Sequence, residues 1–253
     1  MKDLAIKILT AIADKTHLFF LGQAGFVVKS RKGTLLVIDA YLSNCVERYD
    51  GFKRLLPSLL SADEITFDYI LATHPHYDHF DIDAIPVMLS NDVSKLLAST
   101  DCKKEIERLG IDEGKVTYIS YGNSYDAGDI HIDCVFCDHG QSAPDAVGLI
   151  VTVDDRKLYF AGDTCLRLDK APEIKSHGKI DIMIAAINGA FGNLNEADMV
   201  TLCEAISPGL VIPCHFWNFA EHHGDPGLFL KLVKEQLPDQ RYLLMAPGEA
   251  LVL

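Results

Sequence analysis

The sequence predicts a single α/β domain, and three observations lead to this fold class. Short β-rich runs alternate with helical patterns along the 253 residues. Hydrophobic residues make up 49% of the composition and charged residues 23%, so the chain can bury a sizeable core. No internal repeat, low-complexity tract or Ser/Gly-rich linker divides it. One domain over residues 1–253, with two strand-rich halves, is therefore the simplest prediction.

The predicted strands are short apolar runs that glycine or polar turn residues separate. They are expected over residues 17–21, 26–30, 34–38, 69–72, 116–119, 130–137, 147–153, 157–161, 180–185, 210–213, 242–244 and 250–253. Helical patterns cover residues 103–109, 196–206 and 228–237. Residues 1–15 are expected to add an amphipathic helix rather than a signal peptide, because Asp3 and Lys7 interrupt the apolar run.

Charge and cysteine content exclude several classes of protein. The chain carries 23 Lys plus Arg against 36 Asp plus Glu, a net charge of −13, whereas nucleic-acid and anionic-membrane partners need a basic surface. No window approaches the roughly 18 to 20 apolar residues of a membrane span. Seven cysteines are an odd number in a chain too large to need disulfides, which favours a cytoplasmic location. A small anionic substrate is still compatible with this composition.

The strongest functional signal is a dense run of metal-ligand side chains that follows the predicted strand 69–72. His74, His76, Asp78 and His79 lie within six consecutive positions. If the strand ends near residue 73, these side chains lie on a loop that can wrap around a metal. Imidazole nitrogens and carboxylate oxygens suit Zn²⁺, Mn²⁺ or Fe. The sequence therefore predicts a metal site at this strand end.

Three more ligand types occur just beyond later predicted strands. His139 follows the strand 130–137, Asp163 follows 157–161 and His215 follows 210–213. A lone histidine is usually structural or exposed, but this shared placement lets four strand ends converge on one cleft. The pattern predicts that the second half of the chain completes the site.

These seven positions resemble the motif pattern of the metallo-β-lactamase fold hydrolases. Segments 21–26, 37–43, 188–195 and 212–216 are also similar to the L-ascorbate-6-phosphate lactonase-like branch of that family. The resemblance covers roughly residues 17–253. It implies a four-layer αββα sandwich.

The resemblance further implies that two divalent metal ions bind here, zinc or manganese, with iron also compatible. Each ion would have three ligands of its own, which are His74, His76 and His139 for the first, and Asp78, His79 and His215 for the second. The bridging carboxylate would be Asp163, which together with Asp78 forms the implied catalytic pair.

The implied reaction is hydrolysis by a metal-bridged hydroxide, which would open a lactone or related ester of a small polar metabolite, with or without a phosphate group. Asp78 would orient the hydroxide and pass a proton to the leaving oxygen. A small-molecule phosphodiesterase of the same family is the alternative. A diiron oxygen or nitric oxide reductase is less favoured, because that branch has Glu where this chain has His76 and depends on a fused flavin domain.

Several residues near the ligands are candidates for supporting roles. The candidate substrate contacts are Tyr77, Asn188, Asn193 and His222. The sequence is equally compatible with a packing role for Tyr77 and with a position of His222 on a solvated loop. Asp39 and Thr164 are expected to hydrogen-bond the ligating imidazoles. The expected partner is a small-molecule substrate, without nucleic acid or membrane, and a homo-oligomer is left open.

Overall fold

Two β-sheets form the centre of the molecule. The computed structural model describes residues 2–253, so Met1, the first residue of the predicted N-terminal helix, lies outside them. The strands in this range are His17–Gly22 (β1), Gly25–Lys29 (β2), Leu35–Ile38 (β3), Tyr69–Ala72 (β4), Lys95–Ser99 (β5), Val116–Ile119 (β6), Ser124–Ala127 (β7), Ile130–Phe136 (β8), Val147–Val153 (β9), Arg156–Phe160 (β10), Ile182–Ala186 (β11), Leu210–Cys214 (β12) and Ala250–Val252 (β13).

The α-helices lie mainly between the strands in sequence. Within the described range they are Asp3–Leu9 (α1), Cys45–Asp50 (α2), Ala84–Met88 (α3), Lys103–Leu109 (α4), Ala171–Ser176 (α5), Glu196–Ile206 (α6) and Pro226–Gln236 (α7). Helix α6 begins with a reciprocal cap, in which Asn195 accepts a hydrogen bond from the Asp198 backbone and Asp198 accepts one from the Asn195 backbone. Helix α7 has a simpler cap, in which the Asp225 side chain accepts a hydrogen bond from the Gly227 N–H.

Both sheets are mixed. The first has the order β13-β1-β2-β3-β4-β5-β6, and the second has the order β12-β11-β10-β9-β8-β7. In the first sheet, β1 to β3 pair antiparallel and β3 to β6 pair parallel. In the second, β7 to β10 pair antiparallel and β10 to β12 pair parallel. Parallel neighbours end at the same edge, so polar residues after these strands are brought together.

Apolar side chains fill three layers between the elements, which makes the molecule a four-layer αββα sandwich, as predicted. In β1, Leu18 points between the two sheets, while its neighbour Phe19 points to the outer helices. The outer cluster that contains Phe19 also contains Ile8 of α1 and Ile106 of α4. On the other side, a third cluster joins β11 to α6 and α7 and includes Phe229. Strands buried on both faces explain the nearly continuous apolar runs in the sequence.

The structure differs from the sequence prediction at several elements. The predicted strand 242–244 is wrong: Tyr242 forms only an isolated bridge to Val211, although the segment follows the edge of β12 through two backbone hydrogen bonds. Strands β5 and β7 and helices α2, α3 and α5 were not predicted. Strand β7 has the sequence Ser-Tyr-Asp-Ala and is partly exposed, so its pairing with β8 determines its conformation more than its composition does.

The N-terminal helix is shorter than predicted. Helix α1 covers Asp3–Leu9 and buries Leu4, Ala5 and Ile8 against the first sheet. The seven cysteines, all within the described residues, are free thiols. Across residues 2–253, the helices are too short or too polar to span a membrane.

Truncation of Leu36 tests the layer between the sheets. Its side chain is fully buried there, and we expect Leu36→Ala to lower the free energy of unfolding by about 2–5 kcal/mol. Leu55→Ala removes the same atoms from a residue that is 55% exposed, and its effect should stay within about 0.5 kcal/mol. Urea denaturation measures both variants, and equal losses would contradict the central position of Leu36.

Candidate metal centre

The ends of four strands bring the predicted ligands to one edge of the sandwich. The segment 74–79 follows β4 in the first sheet. His139, Asp163 and His215 follow β8, β10 and β12 in the second sheet. The candidate centre therefore joins the two sheets. The seven side chains lie close together.

The first group of ligand atoms consists of three imidazole nitrogens. His76 Nδ1 lies 3.2 Å from His74 Nε2 and 2.9 Å from His139 Nε2. Burial is the main cause that lowers the pKa of His74 well below its usual value and the pKa of His139 to about 4. These rings are therefore neutral at pH 7, with lone pairs available for a cation.

The second group combines two imidazoles with a carboxylate. His215 Nε2 lies 3.1 Å from His79 Nε2 and 3.2 Å from Asp78 Oδ2. Burial alone would raise the pKa of Asp78, but His79 and His215 hold it well below its usual value. The carboxylate is therefore ionised at neutral pH.

Asp163 is buried and lies between the two groups. Its Oδ1 is 3.4 Å from His79 Nε2, and its Oδ2 is 3.3 Å from His215 Nε2 and 3.9 Å from His139 Nε2. Asn193 Nδ2 donates a hydrogen bond of 2.7 Å to the same Oδ2. Burial would raise the pKa of Asp163, but the surrounding histidines hold it well below its usual range. One carboxylate thus contacts both groups.

The donor set fits divalent cations. Two nitrogens at about 2.0–2.1 Å from a tetrahedral zinc ion are about 3.4 Å apart, close to the spacing of the ligand atoms here. Lone pairs of neighbouring imidazoles repel one another unless a proton or a metal ion is shared between them. In three sets of residues, the ligand atoms of each set lie within 4.8 Å of one another. The sets are His74 with His76 and His139, His74 with His79 and Asp163, and Asp78 with His215 and His222.

The last combination includes His222, which the sequence suggested as a substrate contact. Its ring stacks on His215, with centroids 4.8 Å apart and an angle of 16°. Burial lowers the pKa of His222 to about 4, so this imidazole is also neutral at pH 7. The structure therefore places His222 against the second group of ligand atoms.

The other candidates for supporting roles differ in their position. Asp39 Oδ2 accepts a hydrogen bond of 2.8 Å from His79 Nδ1, which orients the ring with Nε2 toward the cluster. Thr164 instead accepts from the Asp138 backbone N–H and donates to the Cys165 carbonyl, so the predicted hydrogen bond to an imidazole is not formed among the described residues.

Two of the substrate-contact candidates occupy different surroundings. Tyr77 is half-buried and lines the cavity above the cluster. Asn188 is fully buried, and both polar atoms of its side chain lack a hydrogen-bond partner within the described residues. Its backbone forms an isolated bridge to Asn195, the N-cap residue of α6.

Sequence analysis missed Gln23, which lies in the tight connection between β1 and β2. Its Nε2 is 2.8 Å from Asp78 Oδ2, 3.1 Å from His215 Nε2 and 3.2 Å from His222 Nδ1. The neighbouring glycines indicated a turn, but no signal in the sequence placed this amide 55 residues away beside the histidine-rich loop.

Strained backbone holds several of these side chains. Gln23, Asp39 and His215 all have positive φ, at 54°, 47° and 61°, although none is glycine. Residues in this region cost energy and persist where the surrounding structure requires them, often at functional sites. A cavity of about 530 Å³ opens above the ligand cluster, and His215 is the one of these three residues that lines it.

Comparison with known families agrees with this geometry. The profile of a family described as the beta-lactamase superfamily domain matches residues 17–215, which is more than half of the chain. The chain belongs to the beta-lactamase superfamily. All seven predicted ligands lie within the matched residues.

Similar superfamily proteins cover most of the chain. A UPF0173 metal-dependent hydrolase from Anaeromyxobacter dehalogenans is 29% identical over 230 residues, covering 85% of this chain and 80% of the relative. One from Archaeoglobus fulgidus is 29% identical over 247 residues, covering 91% and 96%. Among solved structures, the metallo hydrolase Igni18 from Ignicoccus hospitalis superposes with a TM-score of 0.76 at 20% identity, covering 94% and 98%. The last of these supports the fold alone.

Gly224 tests how the loop that carries His222 is positioned. Gly224 has φ +99°, and a Cβ there would lie 2.6 Å from the Cβ of Phe216. Gly33 has nearly the same φ, +96°, but open space around the position. We expect Gly33→Ala to cost about 1 kcal/mol through backbone strain and Gly224→Ala at least about 1 kcal/mol more through the clash. Urea denaturation measures both, and equal costs would show that the close approach to Phe216 is unimportant.

Proposed function

We propose that this chain is a metal-dependent hydrolase with two divalent ions, which opens a lactone or related ester of a small metabolite. The observation that carries the proposal is the position of Asp163, because its two carboxylate oxygens contact histidines of both ligand groups. A carboxylate so placed can bridge two cations about 3.5–4 Å apart. The names of the similar proteins, which describe metal-dependent hydrolases, support the same class of reaction.

The proposed metal ligands form two sets with one shared member. The sets are His74, His76, His139 and Asp163 for one ion, and Asp78, His79, His215 and Asp163 for the other. Zinc and manganese both accept this mixture of imidazole and carboxylate, and iron is also compatible. Divalent ions bound here would supply an activated water and polarise the carbonyl oxygen under attack.

The chain's own residues orient the reactants and handle the proton. Asp78 Oδ2, fixed by the Nε2 amide of Gln23 at 2.8 Å, is the proposed acceptor of the proton from the attacking water. The water oxygen forms a bond to the carbonyl carbon, and the bond from that carbon to the ring oxygen breaks. Asp78 then returns the proton to the leaving oxygen. Asn193 holds Asp163 from the other side, through its hydrogen bond to Oδ2.

Metal content provides a direct test of the two-ion proposal. We expect about two equivalents of zinc or manganese per chain after loading and dialysis, and about one equivalent or less in Asp163→Ala, because the shared ligand is lost. His131→Ala is the matched control, since His131 of β8 is exposed and pairs with Asp126 of the neighbouring edge strand β7. Binding of one equivalent by the unmodified chain, or an equal loss in the control, would refute the arrangement.

A hydrolysis screen tests the reaction class. The metal-loaded chain is assayed with lactones, phosphodiesters and phosphomonoesters. We expect turnover of lactones that a chelator abolishes and added zinc or manganese restores. Turnover of phosphodiesters alone would replace the proposal with the small-molecule phosphodiesterase, and undiminished activity in metal-free protein would refute both.

A further inference from the structure

The walls of the cavity differ from its floor. The floor is formed by the polar ligand cluster, whereas one wall is aromatic. Phe52 lies at its centre, with ring centroids 5.8 Å from Phe191 and 6.3 Å from Phe219. His222 closes the wall near the floor, 5.0 Å from Phe219. A substrate bound at the floor would extend along these rings.

Phe191 is the most exposed member of this wall. It is 63% exposed, yet it lines the cavity and follows Ala190 in a turn where its φ is +54°. A left-handed conformation is unfavourable for a bulky residue. The molecule thus holds a water-exposed phenyl ring over the opening at a cost in backbone energy. A ligand that stacks on the ring would remove its apolar surface from water.

The cavity lining is also unsuited to a remote anionic group. The lining residues within the described chain include no lysine or arginine, but they include the carboxylate of Asp50. A second lining carboxylate, Glu105, is neutralised by Arg108. The arginines on nearby elements have other partners. They are Arg48 with Asp83, Arg54 with backbone carbonyls and the Tyr41 ring, and Arg108 with Glu105.

We propose that the part of the substrate remote from the bond that breaks is uncharged and apolar, an aryl or alkyl group that packs on Phe52 and Phe191. This inference rests on the proposed function, because the scissile carbonyl is taken to lie at the ligand cluster. Positive charge from divalent ions would be confined to the floor. A phosphate carried elsewhere on the substrate would instead meet phenyl rings and Asp50, without a cation to pair with.

The test compares matched substrates that differ only in the remote group. We use the metal-loaded chain with γ-phenyl-γ-butyrolactone, which is neutral, and with the same lactone bearing a phosphate on the phenyl ring. The expected kcat/KM is about tenfold or more higher for the neutral lactone. Equal or faster hydrolysis of the phosphorylated lactone would overturn the inference but leave the proposed function intact.

Binding provides a readout that is independent of turnover. The corresponding lactams, with and without the phosphate, are measured by calorimetry on the metal-loaded chain. We expect the neutral phenyl lactam to bind about tenfold more tightly, even if no lactone is hydrolysed and the proposed function fails. Equal affinities, or tighter binding of the phosphorylated lactam, would contradict an apolar remote group.

Variants of the wall assign the effect to particular residues. Phe191→Ala removes an exposed ring, so the fold should be maintained, and we expect it to weaken binding of the phenyl lactam by about tenfold. Tyr121→Ala is the matched control, because Tyr121 is 48% exposed and lies outside the cavity lining. Asp50→Lys replaces a negative charge of the lining with a positive one. This variant should bind the phosphorylated lactam more tightly than the unmodified chain does. Unchanged affinities in both Phe191→Ala and Asp50→Lys would refute the assignment to these two residues.

Discussion

The burial of many ligand atoms in one small volume is the constraint on which the rest of the structure depends. Five imidazoles and two carboxylates converge at the edge of the two sheets, and most of these side chains are buried. Removing such groups from water costs free energy unless each carboxylate has a cation or hydrogen-bond donor and each imidazole has a hydrogen-bond partner or a metal ion. Asp163 supplies part of that partnership to both groups of histidines. Shared divalent cations would supply the remainder.

The sandwich allows this convergence because its rigid strands end at a common edge. The apolar layers between and outside the sheets fix the positions of β4, β8, β10 and β12. The residues that directly follow these strands are therefore also held in defined positions. Local strain occurs where the chain turns toward the cluster, at Gln23, Asp39 and His215. The stability of the packed layers offsets that strain, so the ligand atoms stay close together without a flexible loop having to order them.

Local patterns in the sequence predicted an α/β fold and the convergence of the seven side chains at strand ends, whereas the four-layer sandwich was implied by the family resemblance. Apolar runs identify buried strands, and polar residues directly after them identify the functional edge. Gln23 and the aromatic wall could not be predicted in this way. Gln23 is beside Asp78 only because β1 and β4 belong to one sheet. The rings of Phe52 and Phe191 are in contact although the two residues are 139 positions apart in the sequence. Their roles depend on tertiary packing, which no local pattern encodes.

The net charge of −13 describes the molecular surface rather than the centre. Charges beyond a Debye length of about 8 Å are largely screened, so the surface as a whole has little influence on which ligand is bound at the floor. The charges that act most directly on a bound ligand are those of the ligand cluster and the cavity lining. Because the lining combines phenyl rings with the carboxylate of Asp50, any attraction for an anion would be limited to the position of the proposed metal ions. The site is therefore suited to polarising one polar bond while the rest of the ligand is held by apolar contact.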